Sequence, residues 1–502
     1  MCGRKGISST EKGCFMGEKI LIGLDLGTQG VRAAAADARG QLIAEAARRY
    51  SHINVAEEPY KEQRAEEWRQ ASMEVLAETA RALRAAKPGF SAVLAVDGTS
   101  GTILPLDSEG RPLSAALMYN DSRASSVMDE LHENVKGLEE KLGYRMSASF
   151  SLPKILWIQK NWPWIYEKAA SFVHQADYLT GCLTGNFRVT DYSNALKSGY
   201  DLIDEKWEGG IFCSLGIDRK LLPDVVMPGW PVGRITAAAA AETGLPADTE
   251  IVAGATDGYS SCVASGVVRP GQYNTTIGTT IVLKGVTEQF IKDPKGRVYC
   301  HKHPQGYWYP GGAGNVGGIC LNQWFGEENF AVLNSRVPAM TPTGNVIYPL
   351  TMKGERFPFV NPEAEAFFRL RNEGEEARYA GTMEGVGYVE RLCYDTLEGL
   401  GCPPGDTVTI AGGAVKAPVW SQIRADILGK RLVQPAMVEA SYGTAVIAGT
   451  VSLGRNLCEA AELMVKHTRV FEPDVRRHAA YNDLYEEFCD ICRKRNYIDE
   501  YL

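Results

Sequence analysis

Short apolar runs separated by turn residues organise the first part of the chain. Residues 19–50 contain three such runs, KILIGLDLG, VRAAAADA and QLIAEAARRY, which are typical of β-strands. The next segment, AEEWRQASMEVLAETARALRAA, has apolar residues that recur at three and four positions, and this spacing predicts a helix. A buried strand follows, AVLAVDGTSGTILPLD, which ends in a hairpin-like turn at residues 107–110. This order of elements predicts an α/β fold with a mixed sheet and helices packed on it.

The pattern starts again near residue 250. EIVAGATDGYSSCVASGV reads as a strand, an acid-Gly turn and a small-residue helix, and GQYNTTIGTTIVLKG reads as two strands around Gly278, Thr279 and Thr280. That turn repeats the earlier turn at Gly27, Thr28 and Gln29, which indicates a weak internal duplication. We therefore expect a disordered leader (1–18), an N-terminal domain (19–266), a C-terminal domain (267–502) and a ligand cleft between the two domains.

Composition narrows the class of protein. The chain has 502 residues, too many for a single hydrophobic core, and its 45% hydrophobic and 23% charged residues are ordinary for a globular protein. A net charge of −8 without clustered Lys and Arg argues against nucleic-acid binding but leaves small anions open. No apolar run reaches the ~18 to 20 residues that span a bilayer, and the polar N-terminus lacks a signal-peptide core. These features predict a cytoplasmic protein with no membrane partner.

The cysteines are interpreted most simply as free structural thiols. Twelve are scattered through the chain, mostly in apolar runs, as is typical of free thiols in a reducing compartment. Cys489 and Cys492 form the single C-x-x-C pair, and without two further ligands we expect structural thiols there. The segment CHKH, with Cys300, His301 and His303, has metal-ligand residue types, but alternation along a strand explains it better.

Two acids follow apolar strands beside glycine. Asp25 ends the first strand; it could cap a turn, form a buried salt bridge, or hold Mg²⁺ next to a phosphate. Asp257 lies between a strand and a helix start, where a carboxylate can accept a proton from a substrate hydroxyl during phosphoryl transfer. A Gly-Thr turn can bind phosphate oxygens through backbone N–H groups. One such turn is an ordinary hairpin, and it is the repetition near two acids that favours a phosphate site.

Two further clusters suit ligands. Ser100, Asp121 and Arg123 follow strands and offer the donors and acceptors that a polyol needs; the alternative is a loop in which the Asp and the Arg pair internally. Gly412 and Gly413 lie between a strand and a helix, where they would allow a flat ring to approach closely; the alternative is tight packing of the helix on the sheet.

A glycine pattern between residues 312 and 317, G-x-G-x-x-G, matches the dinucleotide fingerprint of nicotinamide dehydrogenases. The segment after it runs into loop residues instead of returning to a strand that ends in an acid, so the match is weak. The chain has no G-x-x-x-x-G-K-[ST], which excludes a standard P-loop.

Taken together, GLDLGTQGVR, DGTSGT, MYNDSRA, SLPKILWIQKN, TDYSNALKSGYD, GATDG, IGTT and GGAVKAPVWSQIRADILG resemble the FGGY family of carbohydrate kinases. The likeness runs in chain order from about residue 19 to about residue 450. Within the family the chain is most similar to ribulokinase-like and xylulokinase-like members. The stretch SLPKILWIQKN, with Ser151, Lys154 and Trp157, fits one of the family's signature patterns.

The resemblance implies two actin-like domains of the ribonuclease H fold, the first binding a sugar and the second a nucleotide. ATP and Mg²⁺ would be the cosubstrate and the metal, and the γ-phosphoryl group would pass to a sugar hydroxyl. Asp257 matches the catalytic base, and Asp25 matches the acid near metal and substrate. The sugar would meet Asp25, Ser100, Asp121, Arg123 and Asp257. The nucleotide would meet Gly27, Thr28, Gln29, Arg32, Gly278, Thr279, Thr280, Gly317, Gly318, Gly412, Gly413 and Lys416.

Two departures from the family pattern affect the expected substrate. Classical xylulokinases resemble one another in a Met-His pair where this chain has Thr99, Ser100 and Gly101, and a serine cannot bridge a hydroxyl as an imidazole does. We therefore expect D-ribulose first and D-xylulose second. Gln29 stands where many relatives have Ser or Thr. The alternatives are an actin-like ATPase without a sugar and, last, a nicotinamide dehydrogenase; a homodimer is among the expected states.

Overall fold

The structure is a computed structural model that describes residues 19–499. The leader expected over residues 1–18 lies outside the described residues. The strands of the first half are β1 Lys19–Leu26, β2 Gly30–Ala36, β3 Leu42–Arg49, β4 Glu62–Gln63, β5 Ser91–Gly98, β6 Leu104–Leu106, β7 Ala116–Leu117, β8 Ser171–Val173, β9 Val189–Asp191, β10 Tyr200–Asp201, β11 Lys206–Trp207, β12 Asp224–Val226, β13 Pro231–Arg234 and β14 Glu250–Val252. Its helices are α1 Ala65–Ala86, α2 Met128–Leu142, α3 Ser151–Asn161, α4 Pro163–Tyr166, α5 Gln175–Thr184, α6 Tyr192–Ala195, α7 Gly209–Ser214, α8 Ala237–Thr243 and α9 Asp257–Ala264.

The second half has nine strands and seven helices between residues 273 and 494. The strands are β15 Tyr273–Ile277, β16 Ile281–Gly285, β17 Tyr299–Lys302, β18 Trp308–Ala313, β19 Val346–Tyr348, β20 Phe367–Arg369, β21 Thr407–Ala411, β22 Arg431–Pro435 and β23 His467–Phe471. The helices are α10 Ile319–Phe325, α11 Phe330–Arg336, α12 Glu375–Gly399, α13 Pro418–Leu428, α14 Ala440–Ser452, α15 Leu457–Met464 and α16 Val475–Lys494. Across residues 19–499, no helix is both long and apolar enough to cross a membrane.

The first half is built on a six-stranded mixed sheet in the order β13-β14-β5-β1-β2-β3. Strand β1 pairs antiparallel with β2 and parallel with β5. Successive residues of β1, Ile20, Leu21 and Ile22, are all buried although they point to opposite faces of the sheet. A near-continuous apolar run of this kind is expected for a strand covered on both sides. The covering elements are α1 over β2 and β3 and α14 over β1 and β5.

The second half repeats these strand relations. Its seven-stranded sheet has the order β17-β18-β16-β15-β21-β22-β23. Strand β15 pairs antiparallel with β16 and parallel with β21, as β1 pairs with β2 and β5. The mixed sheets with flanking helices predicted from the sequence are therefore confirmed, and each half presents a hairpin turn at the same place in its sheet.

One predicted strand is wrong in extent. The segment AVLAVDGTSGTILPLD does not form a single strand, because β5 ends at Gly98 and β6 begins at Leu104. Between them Gly101 has a φ of +94°, a conformation that favours glycine, and the hydroxyls of Thr99 and Thr102 lie 2.7 Å apart. The turn carries Ser100, so the break in the strand places this candidate residue at the end of the sheet.

Helix α14 comes from the end of the chain but packs on the first sheet. A Cβ atom on Gly23 of β1 would lie 1.9 Å from the Ser441 carbonyl oxygen, and one on Gly443 would lie 1.8 Å from the Ser260 carbonyl oxygen. Only glycine fits at either position, so α14 sits directly between β1 and α9. Tyr442 accordingly belongs to the same hydrophobic core as Leu21.

The predicted interpretation of the cysteines agrees with their surroundings. The ten cysteines in the described range are free thiols, and Cys489 and Cys492 are buried in α16. Within residues 19–499 neither belongs to a group of side chains with metal-ligand spacing. Cys300 and His301 lie on β17, as the alternation along CHKH indicates.

A buried carboxyl group makes the stability of the second half pH-dependent. Glu384 on α12 accepts hydrogen bonds from the Thr343 N–H at 2.9 Å and from the Tyr481 hydroxyl at 2.9 Å. Burial raises the pKa of Glu384 from 4.5 to about 7. Because the folded pKa exceeds the unfolded one, this group contributes stability that is complete below about pH 4.5 and is lost as the pH rises through about 7.

We expect Glu384→Gln to remove this dependence. Between pH 4.5 and 7, the free energy of unfolding of the wild type should fall relative to that of the variant by on the order of 2 to 3 kcal/mol. Urea unfolding at a series of pH values measures the difference. Glu398→Gln, an exposed change on the same helix, is the control and should parallel the wild type. Parallel profiles for Glu384→Gln and wild type would contradict the expectation.

Candidate active site

Two aspartates lie side by side where strands β1 and β5 end. Asp25 and Asp97 are paired residues of these parallel strands. Asp97 is fully buried, and its Oδ2 accepts a hydrogen bond from the Thr444 hydroxyl of α14. Its Oδ1 is buried and has no hydrogen-bond partner among the described residues. Asp25 is the residue expected at this position, and the structure adds a second carboxylate to it.

Burial is the main cause of the raised pKa values of this pair. Burial raises the pKa of Asp25, as does the nearby Asp257 carboxylate, while Asp97 and Arg32 lower it. Burial and the Asp25 carboxylate raise the pKa of Asp97 well above its usual range. Carboxylate oxygens packed together in this way are ligands that suit a hard divalent cation, which would relieve the repulsion. The residues present therefore fit a magnesium ion.

Asp257 is the first residue of α9. Its Oδ1 accepts a hydrogen bond of 2.6 Å from the Gly258 N–H. Burial raises the pKa of Asp257, and the cations of Lys284 and Lys197 lower it. A carboxylate with a raised pKa is a better proton acceptor than an exposed one. The position predicted for a general base thus holds an acid whose surroundings suit that role.

The two lysines were not found from the sequence. Lys284 lies on β16 of the second sheet, yet a Cβ on Gly258 would be only 3.1 Å from its Nζ. Lys197 donates a hydrogen bond of 3.1 Å to the Ser100 carbonyl oxygen, and burial lowers its pKa to about 8. Both halves of the molecule therefore place a charged side chain beside Asp257.

The first candidate phosphate turn borders a cavity of about 470 Å³. Gln63 donates a hydrogen bond of 2.8 Å to the Thr28 carbonyl oxygen, and the Tyr50 N–H donates one of 3.1 Å to the Gln29 carbonyl oxygen, so the turn is held from both sides. All the residues expected here line this cavity: Asp25, Gly27, Thr28, Gln29 and Arg32.

The second turn borders another cavity, of about 370 Å³. Phe330, Tyr379, Met383 and Trp420 give it apolar walls, as is typical of a pocket for a flat ring. Trp420 is fixed by a hydrogen bond of 3.1 Å from its Nε1 to the Met383 carbonyl oxygen. This cavity is lined by five of the residues that are expected to contact the nucleotide: Gly278, Thr279, Gly318, Gly413 and Lys416.

The other expected glycines support the second turn. A Cβ on Gly317 would lie 2.5 Å from the Thr279 carbonyl oxygen and 2.5 Å from the Thr280 Cα. Gly412 has a φ of +87°, and a Cβ there would lie 2.4 Å from the Ile277 carbonyl oxygen. These two glycines allow neighbouring segments to approach the hairpin closely. Gly317, the last glycine of the pattern between residues 312 and 317, thus has a packing role without a dinucleotide, and Gly312 of the same pattern packs against the ring of Phe357.

The loop that carries Asp121 and Arg123 is internally paired. The Arg123 guanidinium donates to both Asp121 carboxylate oxygens, at 2.9 and 2.8 Å, and lies 2.7 Å from a Glu62 oxygen. Both side chains are buried, and Arg123 also lies over the ring of Trp157. Internal pairing, the alternative weighed for this loop, is what the structure has.

Ser100 has an unused polar atom. Its Oγ is buried and has no hydrogen-bond partner in the described range. The buried Lys154 of the signature helix α3 donates 2.8 Å to the carbonyl oxygen of the adjacent Gly101 and so fixes the turn. The Ser100 hydroxyl is therefore held in place with its hydrogen-bonding capacity free.

Two similar halves, each with a phosphate-type hairpin, and an acid at a helix start between them define a phosphotransferase of the two-domain type. Comparison with known proteins agrees: residues 20–264 match the N-terminal domain of the FGGY family of carbohydrate kinases, and residues 273–452 match its C-terminal domain. The chain belongs to this family. It is an ATP-dependent carbohydrate kinase, and the interpretation as a nicotinamide dehydrogenase is excluded.

Individual relatives cover nearly the whole chain. The xylulose kinase of Bacillus subtilis (strain 168) is 27% identical, over 94% of this chain and 96% of its own length. The autoinducer-2 kinase of Salmonella typhimurium is also 27% identical, over 93% of each chain. The crystal structure of xylulose kinase from Rhodospirillum rubrum superposes with a TM-score of 0.84 at 24% identity, over 95% of this chain and 99% of that one. The expected actin-like fold is thereby confirmed.

Proposed function

We propose that this kinase phosphorylates a ketopentose, with D-ribulose as the first candidate and D-xylulose as the second. The proposal is supported by relatives that bear the name xylulose kinase and by Ser100, whose free hydroxyl stands where classical xylulokinases have an imidazole. The observation that carries it is Asp257, a half-buried acid at a helix start with the carboxylate of Asp25 and two lysines near it.

The reaction would proceed with Asp257 as general base. Its carboxylate accepts the proton of the attacking sugar hydroxyl while the hydroxyl oxygen bonds to the γ-phosphorus. The bond from the γ-phosphorus to the β–γ bridging oxygen breaks, and ADP leaves with that oxygen. The raised pKa of Asp257 favours the proton transfer.

The phosphates would be held by the two hairpin turns. Backbone N–H groups of residues 27–30 and 278–280 bind the oxygens, and Arg32 adds a positive charge. Asp25 and Asp97 would hold Mg²⁺, which when bound neutralises phosphate charge. The adenine would occupy the cavity next to Trp420, where Gly412 and Gly413 permit close approach.

Closure of the two halves would protect the phosphoryl group from water. Lys284 belongs to the second sheet and Asp257 to the first half, so approach of the halves brings both to the reacting atoms. A closed cleft excludes the water that could otherwise accept the phosphoryl group and waste ATP.

A panel of ketopentoses, pentitols and hexuloses in a coupled ATP-consumption assay tests the proposal. We expect the kcat/KM for D-ribulose to exceed that for D-xylulose, and both to exceed those for the pentitols and hexuloses. A higher kcat/KM for a hexulose or a pentitol would contradict the ketopentose assignment. ATP turnover that no added sugar changes would favour the actin-like ATPase instead.

A further inference from the structure

The segment TDYSNALKS, residues 190–198, is polar in sequence but lies inside the first half. It contains the end of β9 and helix α6, and the side chains of Asp191, Ser193 and Asn194 are all buried. Buried polar groups need hydrogen-bond partners within the protein. Lys197 is the member of this segment beside Asp257, so its other polar side chains need a separate explanation.

Asp191 organises the start of α6. Its Oδ1 accepts hydrogen bonds from the Ser193 N–H at 2.7 Å and from the Ser193 hydroxyl at 2.5 Å. Its Oδ2 accepts one of 2.6 Å from the side-chain amide of Asn194. The Ser193 hydroxyl thus uses its proton in the bond to Asp191, and the lone pairs of its oxygen are left for another donor.

That donor is the backbone at the start of α9. The Thr256 N–H donates a hydrogen bond of 2.8 Å to the Ser193 hydroxyl oxygen, across 63 residues of chain. Thr256 is buried and immediately precedes Asp257, the first residue of α9. Its carbonyl oxygen accepts hydrogen bonds from the N–H groups of Tyr259 and Ser260, so it belongs to the first turn of the helix. Ser193 therefore anchors the peptide that carries the base.

The other end of the segment is fixed near the turn that carries Ser100. Lys197 donates a hydrogen bond to the Ser100 carbonyl oxygen. The Ser198 hydroxyl lies 2.8 Å from the His174 Nε2, and the His174 Nδ1 lies 2.6 Å from an Asp177 carboxylate oxygen. The side chains of this second group are buried as well. One segment, held at both ends, therefore connects the Ser100 turn to the start of α9.

We propose that Ser193, oriented by Asp191, is a positioning residue for the general base. It fixes the start of α9 so that the Asp257 carboxylate stands within reach of the acceptor hydroxyl when the sugar lies against the Ser100 turn. The proposal rests on the function proposed above, because it requires Asp257 to act as the base. Neither Ser193 nor Asp191 contacts the substrate or exchanges a proton with it. A displacement of the base by about 1 Å can cost about 10²-fold in rate.

Ser193→Ala tests the proposal. The change removes a single oxygen atom, so it leaves the Thr256 N–H without its side-chain acceptor and creates no clash. We expect kcat to fall about tenfold or more at saturating ATP and saturating sugar, the sugar being the one with the highest kcat/KM in the panel of acceptors. The KM values for both substrates should change less than about threefold, because Ser193 contacts neither of them. The coupled ATP-consumption assay measures these constants.

Asp191→Asn separates position from charge. The oxygen of the new side chain can still accept both hydrogen bonds from Ser193. The Asn194 Oδ1 is buried and has no hydrogen-bond partner among the described residues. A half-turn of the Asn194 amide presents this oxygen to the new amide nitrogen and restores the bond between the two side chains. We therefore expect kcat for this variant to stay within about threefold of wild type.

Tyr394→Phe is the matched control. It removes a hydroxyl that lies 2.6 Å from the Thr275 hydroxyl in the core of the second half, so it also breaks a buried hydrogen bond. Urea unfolding should show a lower midpoint for this variant and for Ser193→Ala, but only Ser193→Ala should lose kcat.

Three outcomes would overturn the proposal. The first is a kcat for Ser193→Ala within about twofold of wild type. The second is an equal loss of kcat in Tyr394→Phe, which would make the effect one of general destabilisation. The third is a loss in Asp191→Asn as large as that in Ser193→Ala, because the carboxylate would then act through its charge.

Asp257→Asn in the same assay distinguishes this proposal from the proposed function. Losses of kcat in both Asp257→Asn and Ser193→Ala, with KM values unchanged in Ser193→Ala, are the expected result. A large loss in Asp257→Asn with none in Ser193→Ala would retain the base and refute its positioning by Ser193. A wild-type kcat for Asp257→Asn would refute the base, and the positioning proposal with it.

Discussion

Asp257→Asn lowers kcat by about 10²- to 10⁴-fold, the range that general-base catalysis usually supplies. An amide cannot accept the proton of the sugar hydroxyl, so the attacking oxygen must lose it to water while the bond to phosphorus forms. The carbonyl oxygen of the new side chain can still accept the hydrogen bond from Gly258, which keeps the start of α9 intact. The coupled ATP-consumption assay with saturating sugar and ATP measures the loss.

The matched control is Asp248→Asn, an exposed aspartate on the approach to β14. It should keep the wild-type kcat. ATP affinity of Asp257→Asn, followed by the fluorescence of Trp420 in the nucleotide cavity, should stay within about threefold of wild type because the base does not touch the adenosine. A near-wild-type kcat for Asp257→Asn would refute the assignment of the base.

Arg424→Met should cost about 3 to 5 kcal/mol of stability, the usual result of breaking a buried ion pair from one side. Arg424 on α13 contacts Glu390 on α12 through its Nε at 2.6 Å and its Nη2 at 2.7 Å. Both side chains are fully buried. Removal of the guanidinium leaves the Glu390 carboxylate without a counter-charge between the two helices. Urea unfolding followed by tryptophan fluorescence gives the change in free energy.

The double variant Glu390→Met, Arg424→Met separates charge from packing. Replacing both partners with apolar side chains should recover most of the loss, because no buried charge then remains. Arg431→Met, which removes an exposed partner 3.1 Å from the exposed Glu472, should cost less than about 1 kcal/mol. A loss for Arg424→Met no larger than that of Arg431→Met would show that Glu390 is stabilised in another way.

Local patterns in the sequence were enough to predict several helices and strands and the two candidate phosphate turns. Helix α1 covers the segment its periodicity predicts, and the strands around Gly278 and Thr279 lie where the apolar runs place them. These features depend on neighbours in the chain, which a pattern records. The repeat of the Gly-Thr turn, together with the acids Asp25 and Asp257, is the signal in the sequence that indicates a phosphate ligand.

Such patterns did not predict the contacts between residues that are distant in the chain. Asp97 lies in the same strand-to-turn segment as Ser100, and its position at the end of a strand, like that of Asp25, was the available signal. Lys284 gives no such signal, since its role depends on β16 of the second sheet approaching α9 of the first half. For Asp121 and Arg123 the sequence left two alternatives, contact with a polyol or internal pairing. It could not decide between them, because the pairing depends on contacts of Arg123 with Glu62 and Trp157, which are distant in the chain.

The position of α14 has a consequence for how the chain is made. The face of β1 that Gly23 opens is covered by a helix that leaves the ribosome more than 400 residues later. During synthesis this face of the first sheet, with Leu21, therefore stays without its cover until the segment that contains Tyr442 has been made and packs on it. A fragment cut after residue 266 would lack this cover, whereas the same fragment made together with residues 267–502 could regain it.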